Sequence, residues 1–267
     1  MEIVLSIAGS DPSAGAGIQQ DLKTMTAMGC YGTTVITALT SQNTQGVQHV
    51  MPVSEDVVAS QLDAVLSDLD VKAIKIGMIP NRQVAKAIVC RLRCLHDVPV
   101  IYDPVMVSTS GYQLMEPHCL AFVCEHLFPL CTLVTPNLPE AALLADGDIR
   151  LPDDIRQAGR HLTELYHVAF LLKGGHADSA MMTDVLFEAD GRFSTYETPR
   201  IDSHHLHGTG CTLSSAIASA MAQGMLLPQA IAEAKKIITQ AIEAGRHLHI
   251  GHGNGPLWVR AVDAPFD

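Results

Sequence analysis

Short apolar runs alternate with amphipathic helical stretches along nearly the whole chain, and this alternation most limits the folds open to it. Ile3–Ala8, Tyr31–Leu39, Lys72–Ile76, Pro99–Tyr102, Thr132–Thr135 and Val168–Leu172 have the length and content of strands. Between them, apolar residues recur at helical spacing, as in Val84, Ile88, Leu92 and Leu95, or Ile155, Ala158, Leu162 and Leu165. Further helices are predicted from Ile18, from Ser54, over Pro117–Leu127, and as a long one near Pro228. Asp190-Gly191 between Thr183–Ala189 and Phe193–Thr198 is a hairpin signal. The expected fold class is α/β, with a mainly parallel central sheet and helices on both faces. With no internal repeat or linker-like stretch, residues 1–267 are expected to form one domain.

Right-handed crossovers in such a sheet bring the loops after the strands to one edge. Those loops carry the unusual residues. Gly9 to Gly17 is made almost wholly of small residues, so a small substrate can approach the backbone. The spacing does not suit a dinucleotide, because the third glycine of that fingerprint falls on Gln20. A Gly-Lys-Ser/Thr phosphate loop is absent as well. Gln42, Asp103, Asn137, Glu140 and Lys173 all follow strands. His207-Gly208-Thr209-Gly210-Cys211-Thr212 is a glycine turn opening a helix through Leu213, Ile217 and Met221. Such a turn points backbone N–H groups at one place, and the helix dipole adds positive potential there.

Asp103, Asn137 and Glu140 offer hard oxygen ligands suited to Mg²⁺, which also takes phosphate oxygens. Lys173 beside Gly174 and Gly175 is expected to be a mobile point charge for phosphate. Cation, lysine and anion hole together are the parts of phosphoryl transfer. A net charge of −11 argues against a nucleic-acid partner. No apolar run reaches the ~18 residues of a membrane span. No basic leader opens the sequence, and seven cysteines without a Cys-x-x-Cys pair suggest mostly buried free thiols in a reducing compartment, so a cytoplasmic location is expected. His204, His205 and His207 lack structural-zinc spacing, and His207 is expected to stabilise the turn.

In combination, Thr135-Pro136-Asn137-x-x-Glu140, Lys173-Gly174-Gly175-His176 and the 207–212 turn resemble the hydroxymethylpyrimidine/phosphomethylpyrimidine kinases of thiamine biosynthesis. These belong to the ribokinase-like superfamily, with the vitamin B6 kinases. Ala8–Ser13, Gly15–Gln19, Gln42-Asn43-Thr44-x-Gly46-Val47 and Gly251-His252-Gly253-x-Gly255-Pro256 match too, so the likeness runs from Ile3 to about Trp258. Ala14 departs from it, standing where the family more often has glycine.

The resemblance implies ATP-dependent phosphorylation of 4-amino-5-hydroxymethyl-2-methylpyrimidine, then of its monophosphate to the pyrophosphate, by a homodimer. It implies that Gln42 reads the pyrimidine, with Ala16, Asp21, Met78 and Val105 near it. Asn137 and Glu140 organise the metal with Asp103 close by, Lys173 meets ATP phosphates, and Gly208, Thr209 and Gly210 form the anion hole. Cys211 takes the place of an aspartate base, and a helix N-terminus is expected to lower its pKa enough for partial ionisation. A vitamin B6 kinase on the same fold is the nearest alternative, and a catalytically silent sensor is the alternative of another class.

Overall fold

The computed structural model describes residues 1–108, 110–149, 152–174 and 180–260. The chain runs β1 (Ile3–Ser10), α1 (Gly17–Ala27), β2 (Tyr31–Asn43), β3 (Gly46–Pro52), α2 (Glu55–Asp68), β4 (Val71–Ile76), α3 (Arg82–Leu92) and β5 (Val100–Tyr102). It continues through α4 (Pro117–Phe122), β6 (Leu133–Val134), α5 (Leu138–Leu144), α6 (Pro152–Tyr166) and β7 (Ala169–Gly174). The hairpin β8 (Met181–Phe187) and β9 (Phe193–Pro199) precedes α7 (Thr209–Ala222) and α8 (Leu227–Gly245). Pro117–Leu127 is not one uniform helix, as α4 passes into a π-helical turn at Val123–Leu127.

The strand order is β3-β2-β1-β4-β5-β6-β7-β8-β9. β2, β1, β4, β5, β6 and β7 are parallel, and β3, β8 and β9 add antiparallel edges. Successive side chains of a strand point to opposite faces. Leu5, Ile74, Tyr102, Val134 and Phe170 therefore pack with α2, α3 and α6 residues such as Leu62, Ile88 and Leu162. Val4, Ala73, Ile101, Leu133 and Leu171 pack with Ile217 of α7 and Ile231 of α8 on the other face. Burial on both faces is why these strands are apolar runs rather than alternating patterns.

From β1 the chain goes to one side as β2 and returns on the other as β4, which opens a crevice at the carboxyl ends of β1 and β4. α7 lies close to the sheet because its buried face is made of small residues, Ser215, Ala216, Ser219 and Ala220. Its N-terminal glycine turn lands over that crevice. One element differs from expectation: Thr40–Asn43 is strand rather than loop. β2 continues to Asn43 and turns back as β3, with a register shift between Ser41 and Gln42. β3 is a short, mostly exposed edge strand whose apolar residues, Val47, Val50 and Met51, do not alternate at the spacing of two, so it gives no strand period in the sequence.

Candidate active site

The loop after β1 is organised by Asp11, which is 1% exposed. Its Oδ1 accepts from the N–H and hydroxyl of Ser13 at 2.8 and 2.7 Å, and its Oδ2 accepts from the N–H groups of Gly15 and Ala16 at 3.0 and 2.8 Å. His207 Nε2 lies 3.1 Å from the same Oδ2. Burial opposes ionisation of Asp11, but these hydrogen bonds, His207 first, hold its pKa below the ordinary value. His207 thus ties the glycine turn to the loop after β1. Among the described residues no cluster of three metal-ligating side chains exists around the histidines or elsewhere.

Gly208 caps α7 in the left-handed region, at φ 89°, and a Cβ there would run into the carbonyl of Gly15. Any side chain at Gly15 would in turn meet the His207 ring. The two glycines therefore permit one close approach between the loop and the turn. The N–H groups of the first helical turn have no carbonyl of their own helix to bond. Gly208, Thr209, Gly210 and Cys211 line a cleft of about 480 Å³ there.

Opposite the turn stands a charged group. Lys173 Nζ donates to Asp103 Oδ1 at 2.6 Å, and the Thr135 hydroxyl donates to the same oxygen at 3.1 Å. Lys173 is thus held by Asp103 rather than mobile. A Cβ at Gly210 would stand 2.9 Å from Asp103 Oδ2 and 3.5 Å from Lys173 Nζ, so only glycine leaves this space free. Asn137 and Glu140 first perform a local task. Asn137 Oδ1 accepts from the Glu140 N–H and Glu140 Oε2 accepts from the Asn137 N–H, both at 2.9 Å, closing a capping box at the start of α5. Burial, opposed by Lys173 and reinforced by Asp103, pushes the Glu140 carboxyl up to about 7. Two buried carboxylates beside a lysine, with oxygen donors only, suit a cation that retains most of its water.

The cleft also brings together Ala16, Gln42, Met78 and Val105. Gln42 is half-buried on β2, and its amide has no hydrogen-bond partner among the described residues. Asp21 is placed differently. It lies fully buried beneath the cleft and does not line it, paired with Lys75 through both oxygens at 2.8 Å and accepting from Ser6 and Ser215. With every acceptor direction used by protein groups, Asp21 supports the floor rather than touching a ligand. Gly175 and His176 of the lysine motif lie outside the described residues.

Cys211 corrects an expectation. Burial pushes its thiol up to about 11; Lys75 pulls it down, while Asp21 and Asp103 add to the rise. Desolvation of a thiolate outweighs the helix terminus here. The other thiols also depart in part from expectation: Cys30 and Cys119 are buried, but Cys90 and Cys94 are exposed.

Two buried ion pairs were missed from sequence. Lys75 stands between the apolar Ile74 and Ile76 of β4, and Asp184 of β8 is paired with Lys235 of α8 at 2.8 Å while accepting from the Gly174 N–H at 3.1 Å. A charge inside a run destined for the core was the available signal, since such a charge needs a partner. Asp184 and Lys235 line the far end of the same cleft with the apolar Leu213, Ile238 and Ile242.

The family model described as phosphomethylpyrimidine kinase matches residues 11–258. A hydroxymethylpyrimidine/phosphomethylpyrimidine kinase of Rhizobium meliloti is 47% identical over 263 residues, covering 96% of each chain. The crystal structure of phosphomethylpyrimidine kinase from Clostridium difficile superposes with a TM-score of 0.80 at 39% identity, covering 91% of this chain and 100% of that one. Pyridoxal kinase from Staphylococcus aureus, in complex with AMP-PCP and pyridoxal, superposes with a TM-score of 0.88 at 30% identity over 98% and 95% of the two chains. A match across nearly the whole chain, around a cleft that joins a glycine turn to a lysine and two buried acids, makes this protein a member of the phosphomethylpyrimidine kinase family.

Proposed function

We propose that the protein phosphorylates 4-amino-5-hydroxymethyl-2-methylpyrimidine with ATP, and then phosphorylates the monophosphate to the pyrophosphate at the same cleft. The observation that carries this reading is the convergence of Gln42, Lys173 and the Gly208–Cys211 turn on one cavity. The pyrimidine has a ring nitrogen beside an exocyclic amino group, and the Gln42 amide can meet both with one N–H and one carbonyl. Its free amide supports that role.

In the reaction the hydroxymethyl oxygen bonds to the γ-phosphorus, the bond to the bridging oxygen breaks, and ADP leaves. N–H groups of the glycine turn receive the charge on the transferring group, and Lys173 exchanges part of its contact with Asp103 for ATP phosphate. Mg²⁺, held near Asp103, Asn137 and Glu140, would supply further charge neutralisation. The high pKa of Cys211 supports a role through its backbone N–H and its small size. A loose transition state needs little help from a base, and the proton departs to solvent or to a phosphate oxygen.

Mass spectrometry of the product from ATP and the hydroxymethylpyrimidine tests the proposal. Monophosphate followed by pyrophosphate is expected, and no product would refute it. The exposed edge strand β3 suits a homodimer, which light scattering tests. A cytoplasmic location completes the reading, and cell fractionation tests it.

A further inference from the structure

The glycine-rich segment Gly251–Pro256 has no part in the chemistry above, yet it touches three walls of the cleft. At one end, Thr44 Oγ1, in the turn between β2 and β3, accepts from the N–H groups of His252 and Gly253 at 3.1 and 3.2 Å. A side chain at Gly251 would collide with the Thr44 side chain, and one at Gly253 with the Thr44 carbonyl. At the other end, the His207 N–H donates to the Gly255 carbonyl at 3.2 Å, and His207 forms a parallel bridge with Pro256. A side chain at Gly255 would strike the His205 ring, and the Pro256 ring lies 3.3 Å from the Cβ position of Gly15. From His207 the connection continues through Asp11 to the N–H groups of Gly15 and Ala16.

These contacts form a continuous path along the mouth of the cleft. It joins the hairpin that carries Gln42, the turn that carries Gly208 to Cys211, and the loop that ends at Ala16. Residues 251–254 are exposed, so apolar burial does not hold that stretch in place. The Thr44 hydroxyl is the contact that pins it.

We propose that Gly251–Pro256 is a positioning strap anchored by Thr44, which sets the distance between the pyrimidine-reading hairpin and the phosphate-binding turn. Thr44 is then a positioning residue, acting on the reacting atoms through the strap. Phosphoryl transfer needs near-attack alignment of the two substrates, and a displacement of about 1 Å costs on the order of 10²-fold in rate. The inference rests on the proposed pyrimidine kinase activity.

The test compares Thr44→Val, which keeps shape but accepts no hydrogen bond, with Thr44→Ser, which keeps the hydroxyl. Thr44→Val is expected to lower kcat/KM for the hydroxymethylpyrimidine about tenfold, on the scale of a partial displacement. KM for ATP should stay within about twofold, and Thr44→Ser should restore most of the loss. Gly253→Ala leaves Thr44 intact but displaces the strap, and it should copy the valine variant. A merely structural role would lower Tm while the folded enzyme kept its kinetic constants, and that result overturns the proposal. So does a serine variant as impaired as valine. If Thr44→Val does not fold, Gly253→Ala decides on the same constants. Wild-type enzyme without pyrimidine turnover refutes the functional reading; active wild type with indifferent variants refutes only the strap.

Discussion

Replacing Cys211 by alanine separates two ways in which the glycine turn could serve the reaction. With its pKa at about 11, the Cys211 thiol is ionised to only about 3 parts in 10⁴ at pH 7.5. A base that acts only as thiolate would make kcat rise about tenfold per pH unit throughout the neutral range. Its removal would then cost the ~10²–10⁴-fold typical of a general base. Burial, with Asp21 and Asp103 and against the pull of Lys75, favours the protonated form, so the backbone N–H and the small side chain are what the turn requires. Cys211→Ala keeps both. It is expected to retain more than about a tenth of wild-type kcat, against the ~10²-fold loss of a missing base. Its pH profile should match that of wild type between pH 6.5 and 9. The assay is steady-state ADP release with saturating ATP and hydroxymethylpyrimidine. A loss of 10²-fold or more in kcat, with KM little changed, would refute the reasoning and return the thiol to the role of base.

Other perturbations follow from the same geometry. Gln42→Met removes both hydrogen-bonding groups while keeping bulk. It should lower kcat/KM for the pyrimidine ~5- to 150-fold, the worth of ~1–3 kcal/mol, with pyridoxal turnover unchanged or higher. Equal losses on both substrates would mean that Gln42 supports the hairpin only. Lys173→Ala should raise KM for ATP. It should also lower Tm, because Asp103, 2% exposed, loses its charge partner, a change worth ~3–5 kcal/mol. Glu140→Gln should raise the Mg²⁺ concentration for half-maximal rate. Because the folded pKa of Glu140 stands above 4.5, at about 7, ligand-free wild type loses stability as pH rises through that window, and the variant should lack this component in denaturant titrations. Ala14 sits at φ 60°, where a Cβ costs ~1–2 kcal/mol and glycine's extra chain entropy offsets ~0.5–1. The net of ~0–1.5 kcal/mol means that Ala14→Gly should leave Tm unchanged or raise it by up to ~6 °C, at ~2–4 °C per kcal/mol for a chain of this size; a fall would show that the methyl contributes packing.

The sequence by itself determined the α/β class, the two-faced burial of the central strands and the edge where the loops meet. Those properties follow from periodicity and from the fixed hand of crossovers, which are local. It also singled out the glycine turn, Asp103, Lys173 and Gln42, which the structure brings to one cleft, since a chemical type near the end of a strand is visible without coordinates. Only the tertiary structure decided what each group has left to offer. Asp21 looked like a ligand, but Ser6, Lys75 and Ser215, which lie 15, 54 and 194 residues away, consume its oxygens. Asn137 and Glu140 spend two of their polar atoms on a helix cap, which also follows from the motif's place after β6. The helix terminus at Cys211 predicts a lowered pKa, and packing reverses the sign, because desolvation depends on every neighbour and not on the adjacent turn. The same holds for Thr44 and the Gly251–Pro256 segment. Their contact spans more than two hundred residues, and a hydroxyl in a polar turn carries no mark of the strap that it will hold.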